Sequence, residues 1–288
     1  MAGDSIVVEN LKYRYGNLVA VDDISFKVAR QEILGFLGPN GAGKSTTVQL
    51  LTGQLRLQEG LVTLLGLDIA RQTKQIQAKI GICFEQPNLY EQMTGAENLE
   101  LFARLFDVKG FDSHALLKQV GLEGRERDKV ANYSKGMRQR LMVARSLVSK
   151  PDILFLDEPT SGLDPVSADS IRSLILKERD RGATIFLTTH DMWEADKMSD
   201  RVAFLNKGKI AALDTPYKLK QQYGERSMLV EVAAHGGGIE SKTIVLDRPD
   251  TAQTVQDLFA REKVVTAHSQ EATLEDIFLK ITGRRLVE

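Results

Sequence analysis

Cysteine is almost absent: Cys83 is the only one in 288 residues, so the chain can form neither an intrachain disulfide nor a thiolate zinc site. Its plain reading is a small apolar filler in a reducing cytosol. The four histidines, His114, His190, His235 and His268, lack metal-ligand spacing. Long hydrophobic runs are missing too. The apolar stretch Ile153 to Leu156 is cut short by charge, far below the ~20 residues that cross a bilayer. Met1 to Val8 is polar and acidic where a signal peptide carries a basic start and an apolar run, so no export signal is expected. Charge of one sign is lacking as well: 38 Lys+Arg against 39 Asp+Glu leave a net charge of −1, which provides no global field for nucleic acid or an anionic bilayer.

The patterning present is that of an α/β protein. Ile6 to Val28 is strand-like, with Ile24, Phe26 and Val28 alternating as in a half-buried antiparallel sheet. Ile33 to Leu37 is a short apolar run before a glycine-rich turn, and Thr46 to Leu55 has helical texture. Between Glu97 and Leu147 the signal is mostly helical: Leu99, Phe102 and Phe106 share one face, and Met137, Leu141, Ala144 and Val148 share another. Apolar runs at Ile153 to Leu156, Thr184 to Leu187 and Val202 to Leu205 suit parallel strands buried on both faces, and Asn206 to Lys209 suits a hairpin turn. After Tyr223 come strand-like Met228 to Val232, a turn at Gly236, Gly237 and Gly238, strand-like Thr243 to Leu246, and a helix near Thr251 to Ala260. A last helix opens with a Thr273/Asp276 capping box, presents Ile277, Phe278 and Ile281, and closes at Gly283. The length suits one large domain, 1–223, with a helical insertion at about 87–150, and a small α+β accessory domain, 224–288.

The chemistry centres on GPNGAGKST. Gly38, Gly43, Lys44 and Ser45 fit the phosphate loop G-x-x-x-x-G-K-[ST], with a strand before it and a helix after it. Backbone N–H groups of Gly38, Asn40, Gly41 and Gly43 can face a polyphosphate, and the helix N-terminus adds the positive end of a dipole. Lys44 is expected to hold the β- and γ-phosphates, Ser45 to bind Mg²⁺, and Thr46 to add a phosphate hydrogen bond. Ile153 to Glu158 ends an apolar strand in two carboxylates, where α/β sites form. Asp157 is expected to reach the Mg²⁺, and Glu158 to orient and deprotonate the attacking water. An acidic pair after a strand is more often a cap or solvated turn; beside a phosphate loop it becomes a site.

Tyr133, Ser134, Lys135, Gly136 and Met137, followed by Arg138, Gln139 and Arg140, resemble a degenerate form of the LSGGQ signature of ABC ATPases. Ser134 and Gly136 are retained, while Lys135 stands for a glycine and Met137 for the glutamine. Ser161 to Asp164 resembles the family's D-loop, His190 its switch histidine, and Tyr15 the aromatic that stacks on adenine, a sheet tyrosine being the plain alternative. At the position of the Q-loop glutamine stands Glu85, with Gln86 beside it, and either could serve as a Mg²⁺ ligand. The resemblance covers Ile6 to about Tyr223, and Leu274 to Arg284 is similar to the C-terminal extension on ATPase subunits of bacterial exporters with separate membrane subunits.

That resemblance implies a phosphate-loop ATPase core and an ATP- and Mg²⁺-dependent catalytic subunit. It implies Glu158, His190 and Lys44 as catalytic residues, and a head-to-tail dimer with a second copy or a homologue. Ser134 and Gly136 of one subunit would then face the ATP held by the other. Its further implications are separate transmembrane permease subunits as partners, no nucleic acid, and a peripheral place on the cytoplasmic face of the membrane. The rival class is a soluble ABC ATPase acting in translation or DNA repair. Such proteins carry two nucleotide domains or long coiled-coil insertions, neither of which this chain has.

Overall fold

A computed structural model describes residues 3–234, 237–246 and 248–284; of the expected turn at Gly236 to Gly238, Gly236 lies outside the described residues, as does His235. The chain separates into two compact units, 1–213 and 214–288.

The first unit begins with β1 (Ile6–Tyr15) and β2 (Leu18–Val28), which pair antiparallel. Ile24, Phe26 and Val28 are buried while Asp23, Ser25 and Lys27 are exposed, the period of two that a one-sided sheet demands. β4 (Glu59–Leu64) pairs with β1, and β5 (Leu67–Asp68) with β4, completing a four-stranded antiparallel sheet in the order β2-β1-β4-β5.

The second sheet has six strands, in the order β10-β9-β3-β8-β7-β6. It comprises β3 (Ile33–Leu37), β6 (Ile80–Cys83), β7 (Ile153–Asp157), β8 (Thr184–Thr189), β9 (Arg201–Asn206) and β10 (Lys209–Asp214). All neighbouring pairs from β9 to β6 run parallel. Successive side chains of its central strands enter different cores. Leu34, Phe36, Phe155 and Phe186 pack with the antiparallel sheet, and Ile33, Leu154, Leu156, Ile185 and Leu187 pack with the helices opposite. Phe36 and Phe186 meet at 5.1 Å between ring centroids, with Phe26 and Phe155 against them.

Around these sheets lie α1 (Lys44–Leu51), α2 (Ile69–Gln77), α3 (Gly95–Leu105), α4 (Ser113–Gln119), α5 (Lys135–Ser146), α6 (Pro165–Arg181) and α7 (Met192–Met198). α3, α4 and α5 form the inserted helical layer between the neighbouring strands β6 and β7. α1 stops at Leu51, short of the expected Leu55, because Thr52 caps it and Gly53 turns left-handed at φ +71°. Phe106 caps α3 and stays 40 % exposed, outside the face it was expected to share with Leu99.

In the second unit α8 (Pro216–Tyr223) packs with α10 (Leu274–Thr282), so the contact boundary precedes the helix that the sequence pattern assigns to the large domain. β11 (Ser227–Ala233), β12 (Ile239–Val245) and β13 (Val264–Gln270) form an antiparallel sheet with β11 central, covered by α9 (Thr251–Arg261) over Val230, Val232 and Ile244. The Thr273/Asp276 capping box of α10 is present, and Gly283 ends the helix at φ +69°. No described helix is long and apolar enough to cross a membrane.

Candidate functional site

β3 delivers the chain into the glycine-rich loop at the carboxyl edge of the six-stranded sheet, and α1 leaves it. Gly43 has no substitute here: its φ is +107°, and a Cβ would lie 2.3 Å from the Ala20 carbonyl. Gly38 is confined by space alone, a Cβ there falling 2.4 Å from the Leu205 carbonyl. As the N-cap of α1, Gly43 supplies no side-chain cap, and the first turn holds no acid. The first N–H groups of α1 therefore have no carboxylate competing with an incoming anion.

Lys44 is buried. Its Nζ donates to the Gly38 carbonyl at 2.5 Å and the Pro39 carbonyl at 3.3 Å. Burial lowers its pKa, against the pull of Glu158, Asp157 and Glu85. Ser45 is exposed on the first turn of α1, and Thr46 is half-buried behind it.

The carboxylates come from the end of β7. Asp157 accepts a hydrogen bond from the Thr188 hydroxyl on the neighbouring β8. Glu158 adopts φ +51°, a left-handed conformation that costs a non-glycine residue on the order of 1 kcal/mol or more. Two bonds hold it there: its N–H donates to the Thr188 carbonyl at 3.0 Å, and Gln139 Nε2 of α5 donates to its carbonyl at 3.2 Å. The side chain thus turns toward the end of β8, where Glu158 Oε2 lies 2.8 Å from His190 Nδ1. Burial pushes the Glu158 carboxyl up, while the His190 hydrogen bond and the Lys44 charge oppose it.

The geometry therefore assembles Lys44, Asp157, Glu158 and His190, with Glu85 close enough to act on Lys44 electrostatically. Ser134 and Gly136 make other contacts. Ser134 is the N-cap of α5, accepting from the Met137 N–H at 3.2 Å, and a Cβ on Gly136 would lie 3.3 Å from Leu163. Asp164 caps α6, accepting from the Ser167 N–H at 3.0 Å; the Ser167 hydroxyl first and then this N–H hold its carboxyl below the usual range. Lys135 lies over Gly162 of the same loop. Tyr15, at the end of β1, is 46 % exposed and meets Tyr13 edge to face at 4.9 Å. Gln86 is exposed.

A lysine and N–H groups facing one way, with a buried acid and a histidine-paired acid beside them, form an arrangement suited to phosphoryl transfer to water. Hard oxygen donors are present for Mg²⁺ in Ser45 and Asp157, a sparse set that fits an ion completed by phosphate and water; no group of three or more metal-ligating side chains exists among the described residues.

The ABC transporter family model matches residues 21–161. The chain is 45 % identical, over 98 % of its length and 94 % of the relative, to the fluoroquinolones export ATP-binding protein of Mycobacterium tuberculosis (strain CDC 1551 / Oshkosh). The chain belongs to the ABC transporter ATP-binding family. It is also 36 % identical, over 99 % of its length and 97 % of the relative, to a daunorubicin resistance ATP-binding protein of Streptomyces coeruleorubidus. A dimeric ATP-binding cassette solved in a post-hydrolysis state with ADP and Pi superposes at TM-score 0.68, with 27 % identity over 73 % of this chain and 98 % of that one. The chain is thus an ABC-type ATPase that binds ATP, and its fold is the one its motifs imply.

Several groups that shape this ABC ATPase site escape sequence reading. Gln139 reaches Glu158 across 19 positions and Thr188 reaches Asp157 across 31, and neither carries a local signature. A polar side chain one turn ahead of the apolar Met142 and Val143 of α5 is the one available hint for Gln139.

Proposed function

We propose that the chain powers an ABC exporter by binding two ATP molecules head to tail with a second nucleotide-binding subunit and hydrolysing them. The observation that carries this reading is the 2.8 Å Glu158–His190 pair beside the buried Lys44 and Asp157, while Ser134 only caps its own helix and Gly136 lies against Leu163. On this reading a second subunit supplies the helix N-terminus. Tyr15 would meet the adenine, and N–H groups from Gly38 to Gly43 and the Thr46 hydroxyl the phosphates. Lys44 would exchange its carbonyl partners for the β- and γ-oxygens.

In hydrolysis, water oxygen attacks the γ-phosphorus, its bond to the bridging oxygen breaks, ADP departs, and the water's proton passes to Glu158. Burial favours that proton on Glu158, and His190 keeps the carboxylate in line. Mg²⁺, held by Ser45 and Asp157, would neutralise charge on the phosphate oxygens. Glu85 rather than Gln86 is the better Q-loop residue, since its charge acts on Lys44. Asp164, on the loop beside Gly136, belongs to the dimer seam.

Export and separate permease partners are supported by the relatives' names, which include fluoroquinolones export, daunorubicin resistance and Nod factor export. On this reading the chain sits peripherally on the cytoplasmic face, with 214–288 as an accessory unit. The deciding experiment is size-exclusion chromatography of Glu158→Gln with ATP and Mg²⁺. An ATP-retaining dimer is the expected outcome; a monomer with no bound nucleotide would sink the mechanism.

A further inference from the structure

Glu194 is wholly buried, and nothing in the hydrolytic scheme uses it. It sits in the first turn of α7, where its N–H is bonded to the capping Asp191 at 3.0 Å. Its Oε1 accepts from the Thr160 hydroxyl at 2.8 Å; Oε2 makes no hydrogen bond of good geometry, although the Thr189 hydroxyl also acts on the carboxyl. The nearest cation, Arg172, is 3.9 Å away and also stacks on Trp193 at 5.1 Å. A half-satisfied buried carboxylate is destabilising, and an apolar residue would fill the space at lower cost. Such a group calls for a role beyond packing.

Its position suggests one. Thr160 follows Glu158 by two residues, and Glu194 lies one turn past His190. The Glu158–His190 bond and the Thr160–Glu194 bond, both 2.8 Å, are therefore two rungs between the same pair of loops, one leaving β7 and one leaving β8. Beyond the strand ends, which the Glu158 N–H to Thr188 carbonyl bond ties, the half-exposed histidine rung alone leaves the loops freedom to shift. The buried second rung removes that freedom. Beyond it, the Leu163 N–H is bonded to the Thr160 carbonyl at 3.1 Å, and Leu163 lies against Gly136 of α5.

We propose that Glu194 is a positioning residue for ATP hydrolysis: through Thr160 it fixes the 161–164 loop to the helix that follows His190, so that both flanks of the site, and the start of α5, move as one body. This rests on the assignment of Glu158 and His190 to hydrolysis. Burial, opposed by the Thr160 and Thr189 hydroxyls and by Arg172, pushes the Glu194 carboxyl up, so a neutral isostere should preserve the rung.

The test uses the full chain and measures phosphate release, binding of a fluorescent ATP analogue and thermal melting. Thr160→Val, which keeps the side-chain shape and removes the hydroxyl, should lower kcat more than fivefold while the analogue's Kd stays within threefold and melting remains cooperative. Glu194→Ala should match it, the double variant should be no worse than either, and Glu194→Gln should recover turnover toward wild type. The proposal is overturned if Thr160→Val keeps kcat within fivefold of an active wild type, if Glu194→Gln is as impaired as Glu194→Ala, or if lost turnover is matched by lost nucleotide binding. A wild type that binds but never hydrolyses ATP would instead defeat the hydrolytic assignment itself.

Discussion

The six-stranded and three-stranded sheets of this chain treat charge in opposite ways. At the carboxyl edge of the first, Lys44, Asp157, Glu158 and Glu194 are all buried, and none is matched by a fully bonded opposite charge. α1 starts there without a side-chain cap, and Glu158 holds a strained backbone. In the second, Lys242 and Glu262 pair at 2.7 Å near the surface, and α10 begins with a complete capping box. The small unit is built as local rules favour, whereas the phosphate edge breaks those rules where a polyanion would repair them.

The comparison breaks first if the unsatisfied edge can be altered without loss. Glu158→Gln should lower kcat by roughly 10²–10⁴-fold, the range for removing a general base, with ATP still bound; steady-state phosphate release checks it. Phe278→Ala, in the fully buried face of α10, should cost about 3–5 kcal/mol in the unfolding of the small unit, measured by denaturant titration, and leave kcat within about twofold. Any comparable fall in kcat would show the small unit to be part of the catalytic device.

The pH dependence sharpens the contrast. Because burial raises Glu158 above its ordinary 4.5, the acid limb of kcat/KM should fall above that value, while substitutions in the small unit leave it unmoved. The same shift has a stability sign. Folded chains keep a proton that unfolded chains release, so stability contributed by Glu158 is fullest at low pH and falls as pH rises from 4.5 through the folded value. Glu158→Gln should flatten that part of a melting-temperature profile. The smallest effect is expected from Thr273→Ala: loss of one cap costs about 1 kcal/mol, visible as a shift in Tm with turnover intact.

Most of the fold and the centre of the site are legible in the sequence, for a physical reason. The phosphate loop, the β7 carboxylates and the α10 capping box each lie within one short segment, where local geometry dictates residue type. A dimer-facing role for Ser134 is proposed from resemblance alone, since its contacts within the chain are those of any helix cap. Gln139, Thr160 and Glu194 could not be found, because their partners lie 19 and 34 positions away and depend on how α5, α6 and α7 pack. The left-handed turn at Glu158 was equally hidden, as nothing in an Asp-Glu pair marks φ +51°.

The strand order of the larger sheet has a further consequence during synthesis. β3 lies between β8 and β9, with Leu34 opposite Phe186, so its partners are made roughly 150 residues later. At translation speeds of about 5–20 residues per second, the nascent strand carrying Leu34 and Phe36 stays unpaired for on the order of ten seconds. A ribosome stalled before Thr184 would therefore present an unpaired apolar edge rather than a nucleotide-binding domain, a natural client for chaperones.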